Sequence, residues 1–172
     1  MLNANLREQV IVILNGKMLS ETQLFGGYNP MFVSEIAFLL LHCTFSVDDR
    51  VVIEGAHGST IFFLTNGRVI VSEKASHTLI KELQPPANFG EVSFFTANPC
   101  VATVRSNGFS ECLMLRREPF LETAKEYEDV AQLVDSIFNY CSRPGNKDFR
   151  PLGVTCFLCE QLGHLSVHCD RY

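Results

Sequence analysis

The stretch FGEVSFFTANPCVATVR, residues 89–105, is the most informative part of this 172-residue chain. It begins with Gly90-Glu91 and continues through an apolar run long enough for one short helical turn. It ends in Val101 to Val104, whose β-branched residues favour a strand. The order predicts a turn, a short helix and a strand in direct succession.

The residues on both sides of this stretch are rich in short β-like runs. The runs cover residues 51–53, 60–64, 69–71, 78–80, 101–104 and 112–115. Turn signals separate them, among them Asn66-Gly67, Pro85-Pro86 and Asn107-Gly108. Many short strands with regular turns predict an antiparallel β-roll of the jelly-roll type.

Helical spacing of apolar residues frames the predicted roll. Residues 5–20 have a helical pattern that Asn15-Gly16 interrupts, which predicts two short helices. Asn29-Pro30 is a good helix start, and it predicts an amphipathic helix of about 12 residues. Residues 117–141 return to helical spacing, and residues 143–153 have the Pro and Gly content of a linker. The fold class is therefore α+β, a β-roll flanked by N- and C-terminal helices.

Composition limits the classes of function. The chain is 47% hydrophobic and 19% charged, as in a globular domain, and its net charge of −5 gives no basic field for nucleic acid. No apolar run approaches the ~18 residues that a membrane span needs, and the N-terminus lacks a signal-peptide pattern. No nucleophile–base pairing is evident, so we do not expect an enzyme.

The C-terminal segment carries a metal-ligand pattern. Cys156, Cys159, His164 and Cys169 have the spacing C-x2-C-x4-H-x4-C, which resembles a CCHC zinc knuckle. Three thiolates and an imidazole fit a closed, structural Zn²⁺ site, and such spacing favours a reducing compartment. His168 is a less suitable ligand, and a disordered tail is the alternative.

Two further expectations concern the cysteines and the knuckle's partner. The remaining thiols are expected to be small buried hydrophobes: Cys43, Cys112 and Cys141. The knuckle offers Phe157 but few basic residues, so we expect it to contact protein or clamp the tail on the roll rather than bind nucleic acid.

The order of these elements resembles the cyclic-nucleotide-binding domain. Within that family, the chain is most similar to the C-terminal region of voltage- and cyclic-nucleotide-gated cation channels. Leu6-Arg7-Glu8 and Leu24-Phe25 resemble the linker that joins the pore to the binding domain. The likeness covers about residues 5–140. It implies a linker segment at residues 1–27, a binding-type domain at 28–142, a connection at 143–154 and the knuckle at 155–172.

The resemblance implies a pocket for cyclic AMP or cyclic GMP, with Glu91 accepting a hydrogen bond from the ribose 2′-hydroxyl. The implied ligand residues are Val71, Phe89, Gly90, Glu91, Val92, Cys100, Val101, Ala102 and Ile137. Val71 and Ile137 either cover the purine base or are plain core, and Glu91 is alternatively a solvated helix-start carboxylate.

The chain departs from the family pattern at Cys100, where the family places the arginine that binds the phosphate. Strand alternation puts the nearest candidate, Arg105, on the opposite face. Losing one charged partner at a buried anion costs about 2–4 kcal/mol, which is roughly 30- to 1,000-fold in affinity. We therefore expect weak or absent nucleotide binding. Val101 replaces a threonine frequent in members that respond to cyclic GMP, so no preference for cyclic GMP is expected.

The resemblance implies a regulatory module of a tetrameric, potassium-selective cation channel, located at the cytoplasmic face of a membrane. The expected partners are the rest of the channel subunit, with a pore region upstream of Met1, and the neighbouring subunits. A soluble cyclic-nucleotide sensor is the alternative, and a nucleic-acid adaptor acting through the knuckle is a third.

Overall fold

A computed structural model describes residues 4–73 and 78–171. The helices are α1 (Ala4–Glu21), α2 (Pro30–Phe38), α3 (Glu91–Thr96), α4 (Arg117–Ala124) and α5 (Glu128–Cys141), with 3-10 turns at Arg150–Leu152 and Ser166–His168. The strands are β1 (Leu41–Phe45), β2 (Arg50–Val52), β3 (Thr60–Asn66), β4 (Val69–Glu73), β5 (Thr78–Leu83), β6 (Ala87–Phe89), β7 (Thr103–Ser106) and β8 (Ser110–Arg116).

The strands form two four-stranded antiparallel sheets. Their orders are β1-β8-β3-β6 and β2-β7-β4-β5, so that the consecutive strands β5 and β6 are edge strands of different sheets. The predicted antiparallel roll with flanking helices is thus confirmed. All six predicted β-runs overlap strands, whereas β1 and β6 had not been predicted.

The predicted break in the first helix is wrong. α1 runs without interruption through Asn15 and Gly16. A Cβ on Gly16 would lie 3.9 Å from the Cβ of Ala37 in α2, so the glycine stands at the contact between the two helices. A glycine inside a helix costs only about 1 kcal/mol, which tertiary packing readily offsets.

The second helix begins as predicted and ends earlier. The Asn29 side chain accepts a hydrogen bond from the Met31 N–H at 3.0 Å, and Pro30 occupies the first turn. The helix spans nine residues instead of about 12, because Leu41 already belongs to β1.

Two apolar clusters fill the molecule. The larger one joins the helices to one face of the roll, and its centre is a group of phenylalanines in mutual ring contact: Phe25, Phe32, Phe94, Phe95 and Phe120. The smaller one, the roll cluster, consists of Leu64, Val69, Val71, Leu83, Phe89, Val104 and Cys112. As expected, Cys112 and Cys141 are buried, while Cys43 is only half-buried.

The stretch expected to be a linker is packed instead. Phe149, Leu152 and Val154 are buried in the larger cluster. The Tyr140 hydroxyl donates to Asp148 Oδ2 at 2.8 Å, which fixes the start of this stretch to α5. Alternating apolar residues among the prolines and glycines explain the difference, since they bury side chains that a flexible linker would expose. No helix among the described residues is both long and apolar enough to cross a bilayer.

Candidate nucleotide pocket and metal centre

The cassette of residues 89–105 has the predicted layout of turn, short helix and strand. Gly90 adopts φ 91°, and its carbonyl oxygen accepts the Phe94 N–H at 3.0 Å to begin α3. A Cβ at Gly90 would stand 2.6 Å from the Thr60 carbonyl oxygen of β3. Both the backbone angle and this close approach require glycine.

Position 100, where the family has arginine, is a buried site without a charged side chain; we call it the neutral corner. Cys100 is buried, and its Sγ accepts a hydrogen bond from the Ser93 hydroxyl at 3.3 Å. Its backbone exchanges hydrogen bonds of 2.8 Å with Gly55 and Ala56, which holds the preceding loop against the cassette. A Cβ on Gly58 would lie 2.7 Å from Cys100 Sγ, so that loop also covers the thiol.

Arg105 does not substitute for the missing cation. It pairs with Asp48 at the protein surface, and its neighbour Val104 faces the roll cluster instead. Alternation along β7 thus puts Arg105 on the face opposite Val104, while Cys100 lies before the strand begins.

The Glu91 carboxyl is held in an apolar environment. Burial raises its pKa from 4.5 to about 7, although hydrogen bonds from its own N–H and from the Asn88 side chain partly oppose the rise. Glu91 Oε2 has no hydrogen-bond partner among the described residues. The residue as a whole is half-buried, but this oxygen is shielded from water, which sets Glu91 apart from a fully solvated helix-start carboxylate.

The predicted ligand residues divide between the two clusters. Val71, Phe89 and Ala102 belong to or pack against the roll cluster. Val92, Val101 and Ile137 belong to or pack against the larger one. The structure thus brings these side chains into two packed groups rather than one open pocket.

A cavity of about 800 Å³, partly open to solvent, lies beside Glu91. It is bounded by the end of α1, by the facing edges of β5 and β6, and by the C-terminal segment. Its walls include Gln23, Leu83, Asn88, Glu91, Phe157 and Ser166. Of the nine predicted ligand residues, Glu91 is the one that lines it. Sequence reasoning missed the contributions of α1 and of the tail, because no motif connects these distant segments.

The four predicted metal ligands come together. The ligand atoms of Cys156, Cys159, His164 and Cys169 all lie within 4.8 Å of one another. Cys159 Sγ and His164 Nε2 are 3.3 Å apart. Ligands about 2.0–2.3 Å from a tetrahedral Zn²⁺ are separated by about 3.3–3.8 Å. The donor set suits this ion and the Cys159–His164 separation falls in that range, while the whole cluster lies within 4.8 Å.

The backbone around the cluster is arranged for thiolate ligands. Leu158 N–H donates to Cys156 Sγ and Arg171 N–H donates to Cys169 Sγ, each at 3.4 Å. Burial raises the pKa of Cys156, but N–H groups of Cys159 and Leu158 outweigh it and lower the pKa to about 7. Such outer hydrogen bonds orient and stabilise metal-binding sulfurs.

Tight turns close the metal loop. Gly163 has φ 105°, and a Cβ there would meet Arg150 Cγ at 2.4 Å. The Cys156 N–H donates to the Gln161 carbonyl at 2.9 Å and draws the two ends of the loop together. His168 lies outside the cluster of four, which agrees with the preference for His164.

The metal loop is docked on the rest of the molecule. Phe157 packs against the roll cluster, and Glu160 pairs with Lys81 of β5 at 3.2 Å. The Gly163 carbonyl accepts the Phe149 N–H at 2.7 Å. The tail is thus held against the roll, as one of the predicted roles for the knuckle requires.

Comparison with known proteins identifies the class of the domain. Residues 43–127 match the family model "Cyclic nucleotide-binding domain", which spans β1 to α4. This part of the chain is therefore similar to the cyclic nucleotide-binding domain family.

Among curated proteins, the chain is similar to potassium/sodium hyperpolarization-activated cyclic nucleotide-gated channel 2 of Mus musculus. The two are 26% identical over 136 residues, which cover 79% of this chain and 16% of the channel. Channel 1 of Homo sapiens is also 26% identical over 136 residues, covering 79% of this chain and 15% of the relative. The chain thus spans only about a sixth of these relatives.

Solved structures share the fold. cAMP-bound PfPKA-R has a TM-score of 0.58 and 22% identity, with coverage of 78% of this chain and 46% of that one. PKAR CBD2 bound to Sp-2Cl-cAMPS has a TM-score of 0.57 and 20% identity, with coverage of 78% and 90%.

Proposed function

We propose that this chain is a regulatory domain of a cation channel subunit whose nucleotide binding is weak or lost. The observation that carries the proposal is the extent of the similarity to the channels. The alignment spans 136 residues and is therefore longer than the segment 43–127 that the binding-domain family model matches. The likeness to the channels thus extends beyond the segment that the family model matches.

The packing of the N-terminal segment supports a mechanical role. Leu19, Leu24 and Phe25 are buried in the larger cluster, and Phe25 contacts the ring of Phe120 in α4. α5 packs on α3 of the cassette. A shift of the C-terminal helices therefore has a continuous packed route to α1, which would lead toward the pore in a channel subunit.

The outer face of α1 supports assembly with other parts of a channel. Ile11, Ile13 and Leu14 have exposed fractions of 55%, 68% and 60%, and Leu6 and Val10 are also exposed. Apolar residues so concentrated on one helix indicate a contact surface. We assign this surface to a neighbouring subunit in a tetramer, at the cytoplasmic face of a membrane. We keep a potassium-conducting pore as part of this proposal, and the relatives that the chain resembles are potassium/sodium channels.

The ligand state follows from the corner at Cys100. A cyclic phosphate placed there would meet a thiol and the Ser93 hydroxyl, and neither carries a positive charge. The adjacent Glu91 is a buried carboxyl, which adds no attraction for an anion. Cyclic AMP is the ligand to test. We expect its affinity for this chain to be far lower than its affinity for a cassette that contains the arginine.

We assign a structural Zn²⁺ to the cluster of Cys156, Cys159, His164 and Cys169. Four protein ligands leave no open position for substrate or water, so the site would hold the tail rather than catalyse a reaction. The proposed function therefore includes no enzymatic activity.

A chimera tests the channel assignment. Residues 1–172 would replace the aligned segment of the mouse channel 2 relative, and currents would be recorded with and without cyclic AMP. We expect voltage-dependent currents that cyclic AMP does not shift. A matched chimera with Ile13→Ser and Leu14→Ser should assemble poorly, because both changes fall on the exposed face of α1.

Sedimentation of the isolated chain distinguishes the channel proposal from the alternative, a soluble cyclic-nucleotide sensor. A monomer that binds cyclic AMP with micromolar affinity, together with a chimera that yields no current, would contradict the channel proposal and favour a soluble sensor.

A further inference from the structure

The loop between the first two metal ligands packs against the roll. Of the two residues between Cys156 and Cys159, Phe157 packs against the roll cluster, whereas Leu158 is 37% exposed. The ring contacts the cluster that contains Val71 of β4 and Leu83 of β5. Of the two loop side chains, Phe157 is therefore the one that contacts the roll.

The same loop carries an acidic group to the edge of the roll. Glu160 Oε1 lies 3.2 Å from Lys81 Nζ of the edge strand β5. The tail thus presents an aromatic ring and a carboxylate within four residues. A nucleotide offers the same two features, a flat base and an anionic group. The exposed ion pair adds little energy, so the ring supplies most of the contact.

The cavity beside Glu91 is walled by both the roll and the tail. Leu83, Asn88 and Glu91 form one side, while Phe157 and Ser166 form another. A ligand whose base contacted the roll cluster would have to displace Phe157, which packs there. Ser166 lines this cavity and is buried, and its Oγ has no hydrogen-bond partner among the described residues.

We propose that the segment Cys156–Glu160 is a tethered internal ligand of the roll, and that metal binding holds it in place. The proposal rests on the Zn²⁺ assignment above. A loop this short cannot maintain its shape by apolar burial, so four metal ligands would supply its order. Zinc and cyclic nucleotide then oppose each other, and by linkage each weakens the binding of the other by the same factor.

The first experiment measures docking, and it uses the fact that the chain contains no tryptophan. Phe157→Trp places a single fluorophore at the contact, and Leu158→Trp places one at the adjacent exposed position. With zinc bound, we expect blue-shifted emission from the 157 variant only. Chelation should shift it to the emission of the 158 variant. Red emission from both zinc-loaded variants would overturn the docking.

The second experiment measures competition by titrating cyclic AMP into the full chain carrying Cys100→Arg, with and without zinc, so that the missing charge at position 100 does not hide the effect of the tail. We expect affinity to rise at least tenfold when zinc is removed, and to rise equally in zinc-loaded Phe157→Ala but not in Leu158→Ala. Equal affinities in all states, or no binding in any, would overturn the proposal, because the tail would then exclude nothing.

The number of zinc ions bound per chain is measured on every sample. It distinguishes a failure of the zinc assignment from a failure of the internal-ligand proposal. A chain that binds no zinc disproves the metal assignment and with it the metal linkage. A chain that binds one zinc ion without a change in emission or affinity disproves only the internal ligand.

Discussion

Replacing Cys100 with arginine tests whether the absent cation is the reason for weak nucleotide binding. A guanidinium at this position could form charge-assisted bonds to a cyclic phosphate worth about 2–4 kcal/mol. That energy corresponds to a gain of roughly 30- to 1,000-fold in affinity for cyclic AMP.

The structure adds a second, opposite effect on stability. Cys100 Sγ lies 3.3 Å from Ser93 Oγ, and Gly58 covers it so closely that a Cβ there would be 2.7 Å away. The larger side chain must displace these neighbours, and such overpacking typically costs about 1–3 kcal/mol of folding free energy. Because the cost is present with and without ligand, Cys100→Arg should lose stability and gain affinity together.

The assay combines urea unfolding with titration of a fluorescent cyclic AMP analogue. Cys100→Met is the matched control, since it adds bulk at the same site without charge. It should lose similar stability and gain no affinity. Equal affinity of the two variants would refute the reasoning, as would micromolar binding by the unchanged protein. Either result would mean that other groups hold the phosphate.

Three further predictions concern stability. Gly90→Ala should cost about 3 kcal/mol or more in urea unfolding, because it combines a positive φ with a clash against β3; Gly108→Ala, with φ 103° and open space, should cost only about 1–2 kcal/mol. Burial raises the pKa of Glu91 to about 7, so the folded state holds its proton more tightly and wild-type stability falls as pH rises from 4.5 to 7. Glu91→Gln should therefore be more stable than wild type by up to about 3 kcal/mol at pH 8, with the difference vanishing near pH 4.5; a constant difference across this range would contradict the argument. Zinc at 100 times its dissociation constant should stabilise the wild type by about 2.7 kcal/mol in thermal unfolding. Cys159→Ser should lose most of that gain, whereas Cys43→Ser, outside the cluster, should keep it.

The fold was largely predictable because its signals are local. Alternation and turn residues located six of the eight strands, and Asn29-Pro30 located the start of α2. β1 was missed because its leucine continues the helical pattern of α2. β6 was missed because three residues after a proline pair are too few to show alternation. In both cases pairing with a distant strand, β8 or β3, fixes the strand.

The site was predictable in chemistry and not in arrangement. Ligand spacing identified the four Cys and His residues that the fold brings together, and strand alternation placed Arg105 on the surface opposite Val104. The docking of Phe157 on the roll and the cover that Gly58 forms over Cys100 are contacts between segments far apart in sequence. Such contacts leave no periodic pattern, so composition and spacing could not reveal them.

The neutral corner and the docked tail are physically consistent with each other. A buried guanidinium without an anion is costly, because desolvation of the charge is not offset by a partner. In a roll that its own tail covers, an arginine at position 100 would lack the phosphate that normally compensates it. Cys100, at 8% exposed and hydrogen-bonded to Ser93, removes that cost. Closure of the roll by the tail therefore favours loss of the arginine, and loss of the arginine weakens the ligand that would compete with the tail.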